Sequence, residues 1–306
     1  MASTPVKDRI HILQFGADGQ LGLELTRLAS EDAGLHHTVL SQDQAEFTRP
    51  DDIAAAVMAQ PRLDVVINAA AYTAVDRAES EKALAEMVNG TAVGRLAQAC
   101  QARNVPLVHV STDYVYDGTK ATPYVESDAT GPLNVYGQTK LMGEELIRAR
   151  LPQHVILRTS WVYSAHGGNF VKTMLRLGRE REELRIVDDQ HGAPTSARDL
   201  GEAVLAVARR LAQSGEKAPF GVFHFSGGGE TSWRKFAEEI FRQASWAQIR
   251  ARVVPIAAAD YPTPARRPAN SRLDLTKIGK AFGIVPQPWQ KALAPVLAEL
   301  RQGFSA

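Results

Sequence analysis

Tyr136 and Lys140 stand four residues apart in the run Tyr136-Gly137-Gln138-Thr139-Lys140. On a helix, residues four apart share one face. An ammonium beside a phenol favours the phenolate and lowers the tyrosine from its ordinary value near 10. Tyr136 would then serve as a general acid or base near neutrality. The same spacing occurs on many ordinary helices, so the pair gains meaning only from its setting. Upstream, an apolar strand over 106–111 runs into Ser111-Thr112-Asp113-Tyr114. A hydroxyl at the carboxyl end of a parallel strand faces the crevice where such sheets bind ligands. Thr112 is placed to bond the same substrate oxygen that Tyr136 protonates.

Near the start, Gly16-Ala17-Asp18-Gly19-Gln20-Leu21-Gly22 reads G-x-x-G-x-x-G. One glycine permits a tight turn off a strand, a second lets backbone approach a pyrophosphate, and a third lets the helix pack close to the sheet. The helix N-terminus then offers free N–H groups and a positive dipole end to the anion. The run follows an apolar strand and opens an amphipathic helix, which is the context a dinucleotide fingerprint needs. The usual acid about 20 residues on, which grips the ribose 2′-hydroxyl of NAD, is missing. Ser41 stands in its place and Asp43 comes two positions late, with no arginine beside them. NADPH is the expected cofactor, with NADH left open.

Positioning these groups takes alternating strands and helices. Strands are expected over 10–15, 38–40, 63–68, 106–111 and 154–159. Between them, helices are expected over 51–60, 80–102 and 136–150. Leu21, Leu25 and Leu28 mark the first helix, and Asn89-Gly90 interrupts the long one. This alternation predicts an α/β fold, a Rossmann-type doubly wound parallel sheet covered on both faces. Beyond Trp161 the pattern is less regular. Helices are expected over 169–181, 197–214, 232–244 and 286–301, a strand over 221–226, and a proline-rich loop over 255–268. The expected organisation is a dinucleotide-binding domain over 1–161 and a smaller C-terminal α/β substrate-binding domain over 162–306. Helix 197–214 is free to pack back on the first domain.

The three motifs together resemble the extended short-chain dehydrogenase/reductases, which act on nucleotide sugars. Within them the chain is similar to the dTDP-4-dehydrorhamnose reductase family. The likeness also rests on the runs 68–76 (N-A-A-A-Y-T-A-V-D), 111–118, 132–137, 158–163 and 192–195, and on Arg267-Pro268-Ala269-Asn270-Ser271. It implies reduction by NADPH or NADH of the C4 keto group of dTDP-4-dehydro-β-L-rhamnose, giving dTDP-L-rhamnose. Tyr136 would donate the proton, and Lys140 would tune it and hold the nicotinamide ribose. Thr112 and Asp113 would contact the sugar, and Trp161 both substrate and cofactor. Gly16, Gly19, Gln20 and Leu21 would touch the pyrophosphate. Ala71, Tyr72 and Thr73 would line the cofactor path, Glu46 and Phe47 the adenine, and Val110 the nicotinamide. Tyr72 replaces the family's frequent histidine. Some members hold an interface Mg²⁺ through glutamates. Glu24 matches one of these, but Arg198 stands where another is expected, and a fixed cation cannot replace an oxygen ligand. A metal-linked dimer is therefore not expected, and monomer or homodimer stays open. Two other functions share these motifs: a nucleotide-sugar epimerase or dehydratase, which consumes no net NADPH, and a non-catalytic NADP-binding regulatory subunit of methionine adenosyltransferase.

The remaining signals narrow the class. The 306 residues carry 35 lysines and arginines against 34 aspartates and glutamates. That balance argues against a dedicated nucleic-acid binder. No apolar run reaches membrane-spanning length, the start carries no signal-peptide pattern, and one cysteine, Cys100, fits a reducing compartment. A cytoplasmic protein is expected. The eight histidines form no zinc pattern, so no metal site is expected. His36-His37 read as a surface turn and His109 as a satisfied core residue. Arg266-Arg267 lie on the proline-rich loop, either solvated or, for Arg267, clamping a substrate diphosphate by charge-assisted hydrogen bonds.

Overall fold

A computed structural model describes residues 9–304. The chain opens with β1 (Ile10–Phe15), α1 (Gln20–Ser30), β2 (Leu35–Leu40), α2 (Pro50–Met58) and β3 (Val65–Asn68). Two short helices, α3 (Val75–Ala78) and α4 (Lys82–Glu86), lead through a π-helical turn over Met87–Thr91 into α5 (Ala92–Ala102). β4 (Leu107–Thr112), α6 (Val135–Arg150) and β5 (His154–Thr159) follow. After the two-residue β6 (Val162–Tyr163) come α7 (Phe170–Glu180), β7 (Glu183–Val187), β8 (His191–Gly192) and β9 (Thr195–Ser196). The chain continues with α8 (Ala197–Ser214), β10 (Gly221–His224), β11 (Thr231–Ser232), α9 (Trp233–Gln243), β12 (Arg252–Ile256), α10 (Thr276–Phe282) and α11 (Trp289–Phe304).

Six strands form one parallel sheet in the order β10-β5-β4-β3-β1-β2. The order reverses between β1 and β3, and ligands of such sheets bind at that crevice. Side chains alternate across it. Ile12, Ile67, Val108 and Leu157 face one cluster with Leu25 of α1 and Leu200, Val204 and Val207 of α8. Leu13, Phe15, Val66 and Ile156 face the other with Ile53 of α2, Val93 and Leu96 of α5, and Ile147 of α6. Each side chain fully buried this way contributes about 1.5–3 kcal/mol. The sheet's sixth strand, β10, and one of its covering helices, α8, come from beyond residue 161. A third cluster joins Val171 and Leu175 of α7, Phe236 and Ile240 of α9, and Trp289 and Leu293 of α11. Beside it, β7 and β12 pair in parallel.

Several elements differ from the sequence expectation. His36 and His37 lie in β2, which begins at Leu35, rather than in a surface turn. His36 stacks on His11 across the strands at 4.6 Å. β12 occupies the start of the expected proline-rich loop. Pro255 has no N–H to donate, and a two-stranded sheet leaves one side of each strand unpaired, where proline is tolerated. Among the described residues no helix is long and apolar enough to cross a membrane.

Candidate active site

The glycine turn closes the carboxyl end of β1. Gly16 has φ +86°, and a Cβ there would lie 2.5 Å from the Ala70 nitrogen, so only glycine fits. At Gly22 a Cβ would lie 1.8 Å from the Gly16 carbonyl oxygen. Gly19 differs. It is the N-cap of α1, is exposed, and a Cβ would meet no atom within 4 Å. The two tight glycines shape the turn, and Gly19 leaves its outer face bare, as backbone approach to a pyrophosphate requires. Leu21 is buried under α1. The Gln20 amide oxygen accepts from Ser164 Oγ at 3.1 Å and Asn169 Nδ2 at 2.9 Å, tying the turn to the segment before α7.

At the end of β2, Ser41 N–H and Oγ–H both point at Gln44 Oε1, and Gln42 N–H at Asp18. The strand itself runs out into Ser41 and Gln42, and the carboxylate nearest its end is Asp18, from the glycine turn. Phe47 is buried edge-on against Phe15 at 5.8 Å, with Glu46 half-buried beside it. Past β3, Ala71 and Tyr72 are half-buried and Thr73 is exposed. Asn89, in the π-helical turn, clamps the Tyr72 backbone. Its Oδ1 accepts from Tyr72 N–H at 2.9 Å, and its Nδ2 donates to the Tyr72 carbonyl at 3.0 Å and to Thr139 Oγ1 at 3.1 Å. The Tyr72 hydroxyl donates to Glu81 at 2.5 Å.

Helix α6 carries the reactive pair. Asn134 caps it by accepting from Gly137 N–H at 2.8 Å. A Cβ at Gly137 would lie 2.2 Å from the Tyr114 carbonyl, so this glycine lets the helix start press against the loop after β4. That contact brings Tyr136 to Thr112. Burial pushes the Tyr136 phenol up to about 12, opposed by its hydrogen bond with Thr112. Tyr114 packs edge-on against it at 5.7 Å. Lys140 shares the helix face, is 1 % exposed, and is pushed down to about 8 by burial, opposed by Glu144. Its ammonium donates to the Val110 carbonyl at 2.7 Å and meets His109 Nε2 at 3.3 Å. The sequence expectation has Lys140 bringing Tyr136 toward neutrality. Here the phenol is raised rather than lowered, with burial the larger cause. Thr112 Oγ1 donates to Asp113 at 3.0 Å and accepts from Tyr114 N–H at 3.1 Å. Burial raises the Asp113 carboxyl to about 7, with Ser271 and Thr112 favouring its charged form.

Two further residues close the site from beyond β5. Trp161 has φ +48°, stacks on Trp233 at 3.6 Å, and leaves Gly192 no room for a Cβ, which would lie 2.7 Å from the indole. Arg267 reaches back to the first part of the chain. Its Nη1 and Nη2 donate to the two Asp76 oxygens at 3.1 and 2.7 Å, a bidentate pair. Arg266 is exposed, and its carbonyl accepts from Asn134 at 2.8 Å. Arg267 is thus oriented by Asp76 rather than loose on a solvated loop. Glu24 is buried against Arg27, and Arg198 pairs with Glu202. Among the described residues no group of three or more histidine, cysteine or acidic side chains is arranged to hold a metal.

Sequence reasoning missed the residues beneath the site. Glu144 is fully buried and accepts from Ser111 Oγ at 2.6 Å and from Arg158 at 2.6–3.2 Å. Arg158 also donates to the Tyr116 hydroxyl at 2.6 Å. The only signal was spacing: Glu144 falls one turn past Lys140.

A switch-point glycine turn with a tyrosine, a lysine and a strand-end threonine on one crevice defines a reductase-type member of the short-chain dehydrogenase class. Within that class the chain belongs to the RmlD substrate binding domain family, whose model matches residues 10–302. It is 46 % identical over 281 residues to a dTDP-4-dehydrorhamnose reductase of Sinorhizobium fredii, covering 90 % of this chain and 93 % of that one. It is 43 % identical over 298 residues to the protein of that name from Escherichia coli K12, covering 95 % and 98 %. A solved Bacillus anthracis dTDP-4-dehydrorhamnose reductase in complex with NADP is 33 % identical, with TM-score 0.86, covering 95 % of this chain and 99 % of that one. A dTDP-glucose 4,6-dehydratase of Streptomyces venezuelae, 19 % identical with TM-score 0.74, covering 97 % of this chain and 98 % of that one, shares the fold alone.

Proposed function

We propose that the chain is a cytoplasmic, NADPH-dependent reductase. It converts the C4 keto group of dTDP-4-dehydro-β-L-rhamnose into the hydroxyl of dTDP-L-rhamnose. The observation that carries this is Tyr136 hydrogen-bonded to Thr112 at the carboxyl end of β4, on the same edge of the parallel sheet as the glycine turn that ends β1. The relatives support the substrate.

The bare backbone at Gly19 and the free N–H groups of α1 fit a cofactor diphosphate. Gln20, Leu21, Ala71, Tyr72 and Val110 line its path, Lys140 holds the ribose, and Glu46 and Phe47 flank the adenine. When bound, the nicotinamide supplies the hydride. As charge grows on the sugar O4, Tyr136 O–H gives it a proton, and Thr112 Oγ orients both oxygens. Asp113 accepts from a sugar hydroxyl, Trp161 covers the ring, and Arg267 binds the sugar diphosphate. Residues 1–161 supply the cofactor contacts and the groups around the sugar C4, and 162–306 add Arg267 for the sugar diphosphate, with α8 and β10 completing the sheet. Monomer and homodimer are both compatible with these assignments.

The test compares wild type with Tyr136→Phe by following nicotinamide absorbance with enzymatically supplied dTDP-4-dehydrorhamnose, and repeats it with NADH. Wild type should oxidise one NADPH per product, and Tyr136→Phe should lose about 10²–10⁴-fold in turnover. Turnover without net NADPH loss, or an unimpaired Tyr136→Phe, would overturn the proposal.

A further inference from the structure

His109 lies on β4, fully buried between Asn68 and Lys140. Its hydrogen bonds fix where its proton sits. The Ala70 N–H, a donor with no alternative role, points at Asn68 Oδ1 at 3.0 Å. The Asn68 amide is therefore oriented, and Nδ2 is the end that meets His109 Nδ1, at 3.0 Å. Nδ1 must accept. A neutral imidazole has one donor and one acceptor, so its proton is on Nε2. That N–H faces Lys140 Nζ at 3.3 Å. An ammonium offers three donors and no acceptor, whereas a neutral amine would accept from Nε2–H.

We propose that His109 is a positioning residue: its Asn68-fixed tautomer presents a donor to Lys140 and so makes Lys140 a more readily discharged acid. The other groups that face it do not account for this. Glu144, from the same helix, favours the ammonium, and Arg158 on β5 takes up part of that carboxylate. His154 on β5 acts on His109 and further disfavours a charged imidazole. The Val110 carbonyl accepts from either form of the amine. Burial opposes the charge, and the His109 N–H, 3.3 Å from Nζ, adds to that opposition in this proposal. If Lys140 loses its proton, the site loses the cation that stabilises the Tyr136 phenolate left after proton donation, so reduction falls on the alkaline side.

Asn68→Asp is the informative variant. It is isosteric, still accepts from Ala70 N–H, and turns the Nδ2 donor into an acceptor. The ring proton should then move to Nδ1, leaving Nε2 to accept from the ammonium. Two measurements test this on the whole protein. The first is ¹H–¹⁵N NMR of the histidine rings, with His109 assigned by its loss in His109→Gln. Wild type should show a neutral Nε2–H tautomer across about pH 6–9, and Asn68→Asp a neutral Nδ1–H tautomer. An Nδ1–H or doubly protonated ring in wild type overturns the proposal. The second is kcat/KM against pH, which reports the free enzyme. The alkaline limb should move up by about one to two pH units more in Asn68→Asp than in Asn68→Asp/His109→Gln, which carries the same added carboxylate without the imidazole. Equal limbs in these two variants, with the tautomer switched, overturn the link to Lys140. The kinetic arm rests on the reductase function; the ring-proton arm does not, so the two failures are distinguishable.

Discussion

Glu144→Gln tests the support beneath the helix that carries Tyr136 and Lys140. The substitution keeps the shape and removes the charge. Glu144 and Arg158 have side-chain exposures of 0 % and 3 %, with the closest approach 2.6 Å. Arg158 spends three contacts on this carboxylate and one on Tyr116. With the carboxylate gone, a guanidinium stays buried without a counter-charge, and that costs about 3–5 kcal/mol. The whole fold is worth about 5–15 kcal/mol, so the loss is large. With a urea slope near the upper end of the usual range, about 3 kcal/mol per molar, the midpoint falls by about 1–2 M. The double variant Glu144→Met/Arg158→Met removes both charges and should recover most of the loss, because an apolar pair pays no desolvation. A second readout follows from Lys140. Glu144 is the group that favours its ammonium, so Glu144→Gln should move the alkaline limb of kcat/KM to lower pH. A single variant within about 1 kcal/mol of wild type, or a double variant no better than the single, would refute the buried-pair reasoning.

The two glycines make opposite predictions. Gly19→Ala should fold normally, since its Cβ meets no protein atom, yet raise the NADPH Kd by about tenfold or more; Gly22→Ala should unfold more easily, since its Cβ strikes the Gly16 carbonyl. Equal melting temperatures for the two would sink this division of labour. Asp113 titrates near 7 in the fold, above its unfolded value near 3.9. Its protonated form is favoured there, so its contribution is full below about pH 4 and fades as pH rises through 7. Asp113→Asn should therefore gain on wild type in alkaline melts, by up to about 4 kcal/mol, with no gain in acid; a gain independent of pH argues against it. Arg267→Ala should raise KM for the dTDP-sugar about tenfold or more and leave NADPH affinity unchanged; an unchanged KM counts against the clamp.

Much of this was legible in the sequence because the signals were local. Gly16 and Gly22 announce a turn that a Cβ would obstruct, and the bounds of α8 (Ala197–Ser214) follow from its apolar stripe. The break near Asn89-Gly90 marks the π-helical turn, although its use, aiming Asn89 at the Tyr72 backbone, depends on a contact 17 residues away. What stayed hidden was non-local. The β7–β12 pair joins segments about seventy residues apart, and Pro255 disguised one of them. α10 (Thr276–Phe282) is only 7 residues long, too short for a clear period. Spacing shows that Lys140 shares a face with Tyr136, but not that Lys140 is buried while Tyr136 is half-buried. The Asp76–Arg267 pair spans 191 residues, and neither residue points to the other in the sequence.

The most direct test uses NADPH deuterated at the transferable position of nicotinamide C4. Wild-type enzyme, given dTDP-4-dehydrorhamnose, should return dTDP-L-rhamnose with deuterium at sugar C4, and the hydroxyl proton at that carbon should come from solvent by way of Tyr136. Product without deuterium, or with deuterium at another sugar carbon, would contradict hydride delivery to the C4 keto group and with it the assigned function.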